Sequence, residues 1–565
     1  MALPYVTDSR RLTGANLFHD SAGAVLEVRA PPELEKRLVQ QWKKTARLLL
    51  NELGWSTQGI AVRRHAKGTQ LAIEAPIDLA LVATYIAEDA WEIALGKLKL
   101  FELPDTLDVL NGLRRRVERE RKPALIKLLR KARQKKLLAL TIDGDFSVGM
   151  GGACLSYPRD QLPTVAQVPW AKAKSIPLAL ITGTNGKTTT TRLLARMLKQ
   201  AGHIVGFSST DFVMVDDQII DRGDYSGPGG ARLALRDPRT TAAVLETARG
   251  GMNRRGLAIS GADVAAITNV QPDHLGDEGL DSLDDIAKVK FIIEKGLKPG
   301  GTLVLNRDDR LLARRAHRVE HPIVWTLLAA SPALQRRFAR DAIQAAFVND
   351  GVLSWFNGHA LEPILAVNDA PMTFNGAAQH NIYNALTAIA LAKLMKVPNS
   401  AIAAALRTFG TQTSDNPGRT NVFRLANGAT AIVDYAHNTD GIRAVFAAVD
   451  TFKRERMIIV MGQAGDRGDA DIRELAVRIA AQKPAHVVVK QMAEMARGRR
   501  PTEVQDLLVA EFLAQSLAPS QIHRAETDLD ATKLSLALSA PGDVLVLLIH
   551  AQREEVLELL ANAAQ

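Results

Sequence analysis

The stretch "LITGTNGKTTTTRLLARML", Leu180 to Leu198, constrains this chain more than any other. An apolar run stops at a short polar loop with two glycines, and a helical pattern of apolar residues follows. Gly183 and Gly186 let the backbone turn so that successive N–H groups can face a polyphosphate. Lys187 can reach the outer phosphates, and the Thr188 hydroxyl can ligate Mg²⁺. The helix beyond offers its N-terminus to the anion. The usual loop of this kind has a glycine six residues before the lysine; here that residue is Ile181, so the loop is a shorter variant.

Such a loop needs a parallel sheet behind it, and the surrounding pattern supplies one. From about Ala171, short apolar runs ("IPLALIT", "TAAVLET", "DVAAITN", "GTLVLN") alternate with helical stretches. That alternation predicts α/β architecture with a mostly parallel sheet. Near Pro417 the pattern restarts with "TAIVDYAH", "RMIIVMGQAGD", "AHVVVK" and "DVLVLLI". We place boundaries at 170/171 and 412/413. The expected units are an α+β N-terminal domain (1–170), a central nucleotide-binding domain (171–412) and a smaller Rossmann-like α/β domain (413–565). The length of 565 residues suits roughly three to four domains at about 150 residues each.

The N-terminal region carries few motifs. "LRRRVERERKPALIKLLRKARQKK" (Leu113–Lys136) is strongly basic. It reads as a solvated helical hairpin broken near Pro123, or as a dock for an acidic chain through Arg114, Arg115, Arg116, Lys131, Arg133, Lys135 and Lys136. "YPRDQLPTVAQVPW" (Tyr157–Trp170), with three prolines, reads as a linker. The N-terminus has no apolar signal core and no run is long enough to span a bilayer, so a cytoplasmic protein without membrane contact is expected. The one cysteine, Cys154, excludes an intramolecular disulfide and a cysteine-based metal cluster. The net charge of +10 favours anionic partners. An aromatic content of 5% gives no stacking platform for nucleic acid.

Two further features belong with the loop. Glu246 ends the run "AAVLE", which puts it at the C-terminal mouth of a strand, where α/β sites lie. Asp273 and His274 follow "DVAAITN" and fall at a neighbouring mouth. A carboxylate and an imidazole there can hold metal. The Gly-rich "DYSGPGGARL" (Asp224–Leu233) is a further loop expected near the phosphates.

"GTNGKTTT", "ETARGG", "TNVQPDHLG", "HNIYNALTA", "NPGRTN" and "DYAHN" occur in this order. The set resembles the Mur ligase superfamily of ATP-dependent amide-bond ligases, and within it the Mur-ligase-like half of the cyanophycin synthetases. "GDYSGP", "LETARGGMNRRGL", "DHLGDEGLDSLDDIAKVK", "GDRGDADIRELA" and "ARGRR" carry the narrower likeness. It covers about residues 175–550. No room for that family's ATP-grasp domain lies between the N-terminal region and the phosphate loop, so the backbone-forming activity is expected to be absent or supplied by a partner synthetase.

The resemblance implies an ADP-forming ligase that joins an amino acid to an acceptor carboxylate through an acyl phosphate, with an acidic or peptide acceptor, cyanophycin-like or aspartate-rich. The alternatives are a cell-wall or other small-molecule ligase of the Mur type, and a nucleotide-binding pseudo-ligase subunit of another synthetase. A homo-oligomer is expected. The implied cofactors are ATP and two Mg²⁺ ions. Gly183, Thr184, Asn185, Gly186, Lys187, Thr188 and Thr189 would bind the phosphates. Thr188 and Glu246 would hold one Mg²⁺, and His274 a second. Lys290 would carry a carbamate (N6-carboxylysine), with Lys288 as the neighbouring alternative. Asn381 would lie near adenine with His380 nearby, while Asn384 reads as structural. Arg419 would contact the γ-phosphate, and Asp434 the ribose or a hinge. His437, Asp466, Arg467, Arg497 and Arg499 are the substrate-positioning candidates. Lys187, His274, Lys290 and Arg419 form the expected catalytic set.

Overall fold

The computed structural model describes every residue except 1–2, 142–144, 274, 277 and 565. Its largest element is an eleven-stranded sheet. The strands run in the order Gln218–Arg222, Phe212–Val215, Val205–Ser208, Ala242–Glu246, Leu178–Thr182, Ala262–Ile267, Leu297–Asn306, Ile323–Ala329, Ala345–Asn349, Val352–Phe356 and Leu361–Ala366. From Val205–Ser208 to Ala345–Asn349 neighbours are parallel; antiparallel strands close both edges. Leu178–Thr182 is buried along its whole length. Helices on both faces require such a continuous apolar run rather than alternation. The helices Lys187–Gln200 and Gln379–Leu394 cover one face together with Ala179, Ile181 and Val264. The other face packs Leu178, Leu180 and Leu245 against Ile286 and Ile293.

A six-stranded sheet follows, ordered Asn421–Arg424, Thr430–Asp434, Val544–Leu548, Met457–Met461, His486–Lys490 and Ile522–Ala525. All its pairings are parallel except that of the first strand. The restart of the α/β pattern near Pro417 is therefore a second mostly parallel sheet.

The N-terminal region holds a four-stranded antiparallel sheet: Tyr5–Leu12, Gly23–Arg29, Gly68–Glu74 and Ile60–His65, in that order. The helices Pro32–Glu52 and Ala80–Lys97 bury Trp42, Leu49, Ile86 and Trp91 against it. This sheet docks on the central one. Thr13 N–H donates to the Arg255 carbonyl at 2.7 Å, and Ala66 N–H to the Asp281 carboxylate at 2.6 Å.

The basic stretch forms two helices, Thr106–Glu120 and Pro123–Gln134. Asp105 caps the first through Leu107 N–H and Asp108 N–H, and Pro123 opens the second, where its missing N–H costs nothing. Tyr157–Trp170 departs from the expected linker. It lacks regular structure after Tyr157, but Val165 and Trp170 pack against Leu125, Leu128 and Phe146. The Trp170 indole N–H closes this loop on the Val165 carbonyl at 2.8 Å. Among the described residues no helix is long and apolar enough to cross a membrane.

Candidate active site

The loop 183–186 joins the buried strand Leu178–Thr182 to the helix Lys187–Gln200. Gly186 is at φ +83°, a conformation that costs other residues, and a side chain there would strike the Asn384 amide. A side chain at Gly183 would strike the Thr268 hydroxyl. The loop is braced from behind: Thr268 Oγ1 donates to the Asn185 carbonyl at 2.6 Å, and Asn185 N–H donates to Asn269 Oδ1 at 2.9 Å. Thr184 exchanges hydrogen bonds with Gln271, and Asn384 lies under the turn, as its structural role requires. Lys187 Nζ donates to the Thr184 carbonyl at 2.9 Å.

Glu246 pairs in register with Ile181, so its carboxylate falls beside the phosphate loop. Its Oε2 accepts from Thr188 Oγ1 at 2.9 Å, while its buried Oε1 has no hydrogen-bond partner among the described residues. Burial pushes its carboxyl pKa up, against the pull of Lys187 and of the Thr188 hydroxyl. A buried oxygen without a donor is costly unless a cation completes it. Thr188 and Glu246 therefore fit a Mg²⁺ ion in chemistry and placement. Thr210 adds a hydroxyl 3.3 Å from that of Thr188.

On the other side of the same strand, Ile267 pairs with Thr182, and the chain continues to Asp273. His274 lies outside the described residues. Lys290, on the helix Leu283–Phe291, is 2% exposed. Burial holds its ammonium pKa well below the ordinary value; Lys187 and Arg249 push the same way, and Asp273 and Asp309 oppose them. The neighbouring Lys288 is half-exposed and pairs with Asp284 and Asp285 at 3.2 and 3.1 Å. Burial thus separates the two lysines that spacing left open.

Loops that follow strands of the six-stranded sheet reach this site. Arg467 donates to Asp273 Oδ1 at 2.6 Å. Arg419 stacks on Tyr435 at 4.2 Å from the ring centroid, and its charge acts on Glu246 and Asp211. His437 Nδ1 donates to the Tyr435 carbonyl at 3.1 Å, and burial lowers the imidazole pKa, against the pull of Asp273. Both Asp434 oxygens are engaged: one by Thr420 N–H and Oγ1, at 2.8 and 2.9 Å, the other by Ala436 N–H at 2.8 Å.

Other candidates are placed differently. Asn381 is buried, with its amide donating to the Met372 carbonyl at 2.8 Å and accepting from Asn384 at 3.1 Å. Neighbouring His380 keeps a buried Nδ1 without a partner among the described residues. Arg499 spends its donors on the Gly465 and Arg467 carbonyls and on Asp469 and Glu503, so it braces the 465–467 loop. Asp466 is half-buried in that loop, and Arg497 is exposed at φ +50°.

Several residues join the site that no sequence signal singles out individually, although Asn416 and Asn438 lie in the motifs "NPGRTN" and "DYAHN". Asn438 exchanges hydrogen bonds with Asn185. Asn416 donates to Thr189 Oγ1 at 3.1 Å and accepts from Arg192 at 3.0 Å. Asp211 is held by Arg192 at 2.5 Å and by Arg553 at 2.6 Å. Only the fold brings these loops together.

Comparison with known proteins matches two domains of this chain. Residues 181–392 match the Mur ligase middle domain and residues 418–548 the Mur ligase glutamate ligase domain. The cyanophycin synthetase of Synechocystis sp. is 39% identical over 349 residues, 62% of this chain and 39% of that protein. That of Trichormus variabilis is 36% identical over 392 residues, 69% of this chain and 43% of that protein. The chain thus spans about two fifths of the length of these relatives. Among solved structures, E. coli FolC in complex with DHPP and ADP aligns at a TM-score of 0.49 and 18% identity, covering 68% of this chain and 89% of that one. Carrying both domains in order around the loop 183–189, the chain belongs to the Mur ligase family.

Proposed function

We propose that this chain is an ATP-dependent, ADP-forming carbon–nitrogen ligase. One observation carries the reading: a braced phosphate loop whose Thr188 hydroxyl meets a buried carboxylate, Glu246, with one oxygen left unpartnered. An acceptor carboxylate attacks the γ-phosphorus of ATP and ADP departs. An amine then attacks the acyl phosphate, phosphate leaves, and the amine nitrogen gives up its proton. Most of the catalysis of such a transfer lies in positioning and charge stabilisation.

Within that scheme the residues divide the work. The backbone of 183–189 and Lys187 cradle the phosphates. Thr188 and Glu246 would hold one Mg²⁺, and His274 with the Asp273 loop a second; these ions supply charge neutralisation between carboxylate and phosphate. Lys290, whose ammonium pKa burial lowers, would add CO₂ through its neutral amine, releasing one proton and leaving a carbamate that would support the second ion. Arg419 faces the transferring phosphoryl group from the C-terminal unit. We take 171–412 as the nucleotide domain and 413–565 as the domain that closes on it. Closure excludes water from the acyl phosphate.

The relatives' name, cyanophycin synthetase, supports a cyanophycin-like acceptor; the acceptor proposed is such a chain or another aspartate-rich one, with arginine or another amino acid as donor. The basic helices Thr106–Glu120 and Pro123–Gln134 suit such an acceptor, with Arg133 and Lys135 exposed and Lys131 half-exposed. Phosphate release screened across amino acids and several acceptors, with mass spectrometry of the products, tests the reading. Failure of every pair to yield ADP would favour the pseudo-ligase.

A further inference from the structure

We infer that Arg553 is a positioning residue that latches the C-terminal unit onto Asp211 and so sets Arg419 over the phosphate loop. The inference rests on the ligase reading above. Asp211 follows the strand Val205–Ser208 and is 7% exposed in its side chain. Its two oxygens are divided between units: Oδ2 bonds Arg192, on the helix after the phosphate loop, and Oδ1 bonds Arg553, at the start of the final helix Arg553–Ala563. Burial alone would raise the Asp211 pKa, but Arg419, Arg192 and Arg553 outweigh it and hold the carboxyl down at about 2. Asp211 is thus a fixed anion at the seam, serving arginines from both sides.

Arg553 touches the Arg419 loop as well as Asp211. Its side-chain methylenes fill the space over Gly418, at φ +70°, where a Cβ would lie 2.5 Å from Arg553 Cδ. Its guanidinium lies 5.4 Å from the centre of the Tyr435 ring, the ring on which Arg419 stacks at 4.2 Å. Gly418, Arg419 and Tyr435 are therefore wedged by one side chain that is itself anchored across the seam. Gln552, just before it, is at φ +43°, a left-handed position uncommon for a non-glycine residue, and this turn aims Arg553 at Asp211. The Arg553–Asp211 pair is well buried, with side chains 17% and 7% exposed, so salt screens it weakly and removal of one partner is felt.

A role in positioning separates from a role in binding. The loop 183–189 binds nucleotide without Arg553, whereas the phosphoryl transfer needs Arg419 in place. The Arg553→Ala variant should bind MgADP within about twofold of the unsubstituted chain by calorimetry. Its kcat for ADP formation, with the donor and acceptor found by the release screen, should fall at least tenfold with little change in KM for ATP. Arg553→Lys, which keeps the charge, should recover a substantial part. Asp211→Asn should lose turnover similarly, and the double variant should be no slower than the slower single one. Turnover of Arg553→Ala within twofold of the unsubstituted chain overturns the inference, as do losses that multiply in the double variant. Should Arg553→Ala fail to fold, Arg553→Lys and Asp211→Asn give the same decision. Absence of MgADP binding by the unsubstituted chain overturns the ligase reading and this inference with it; normal binding with unaffected turnover overturns the inference alone.

Discussion

Asn185 in the phosphate loop and Asn438 in the C-terminal unit exchange side-chain amides: Asn438 Nδ2 donates to Asn185 Oδ1 at 3.1 Å, and Asn185 Nδ2 to Asn438 Oδ1 at 3.4 Å. The same Asn438 Oδ1 accepts from Gly441 N–H at 2.8 Å and caps the helix Thr439–Val449. One side chain thus starts a helix and ties that helix to the loop that would bind phosphate. The two functions can be separated. Asn438→Ala should destabilise the chain by about 1 kcal/mol through the lost cap. Asn438→Ser should restore most of that stability, since serine caps well, without restoring the link. Thermal unfolding should therefore distinguish the variants, while both lose turnover by about three- to tenfold. Full activity in Asn438→Ser would show that the link is dispensable.

Lys290 gives a second expectation. Burial lowers its ammonium pKa, the direction that favours the neutral amine a carbamate needs. Lys290→Ala should lose at least about 100-fold in turnover, in the range for removal of an electrostatic contributor. Added short carboxylates should return part of it. An active alanine variant, or a crystal structure with an unmodified Lys290, would remove the carbamate from the mechanism.

Asp89 tests the electrostatics of the N-terminal unit away from the site. It lies on the helix Ala80–Lys97, and burial first, then Glu92 and Glu88, push its carboxyl up to about 6, against Arg116. A raised carboxyl pKa means that the folded state binds more protons than the unfolded one between about 4 and 6. Stability from this group is thus present at low pH and declines as pH rises through that window. Asp89→Asn should raise the melting temperature by about 1–3 °C at pH 7.5. The gain should vanish near pH 4, and a gain independent of pH would contradict the assignment.

The basic helices yield a fourth. Charge reversal at Lys131, Arg133 and Lys135 should raise the KM for long acidic acceptors far more than for short ones, with kcat little changed. Added salt should shrink the difference. Arg116, stacked on Tyr85 at 3.8 Å, and Arg114, 3.5 Å from Glu52, have packing partners and are left out of this set. Equal effects on long and short acceptors would rule out docking there.

The phosphate loop, Glu246 and the two parallel sheets could be read from the sequence because their signals are local: a glycine pair, a strand end, an apolar run. Lys290 could be narrowed only to two neighbours, since spacing does not reveal which lysine of a helix faces inward. Asp211 and Arg553 were not legible at all, and Asn438, although it closes the motif "DYAHN", carried no sign of its partner. Asn185 and Asn438 are 253 positions apart, and nothing near either residue announces the other. Arg499 and Asn381 show the converse. Their motifs marked them, but the fold spends Arg499 on the 465–467 loop and turns the Asn381 amide to Met372 and Asn384.

On the proposed chemistry, Lys187 and its loop activate an acceptor carboxylate by phosphorylation. The direct measurement is hydroxylamine trapping with ATP, Mg²⁺ and acidic acceptor, read by mass spectrometry alongside nucleotide analysis. The account predicts an acceptor hydroxamate with ATP cleaved to ADP, both lost by at least about 100-fold in a folded Lys187→Ala variant. Formation of AMP and pyrophosphate, or near-normal turnover in Lys187→Ala, would contradict it.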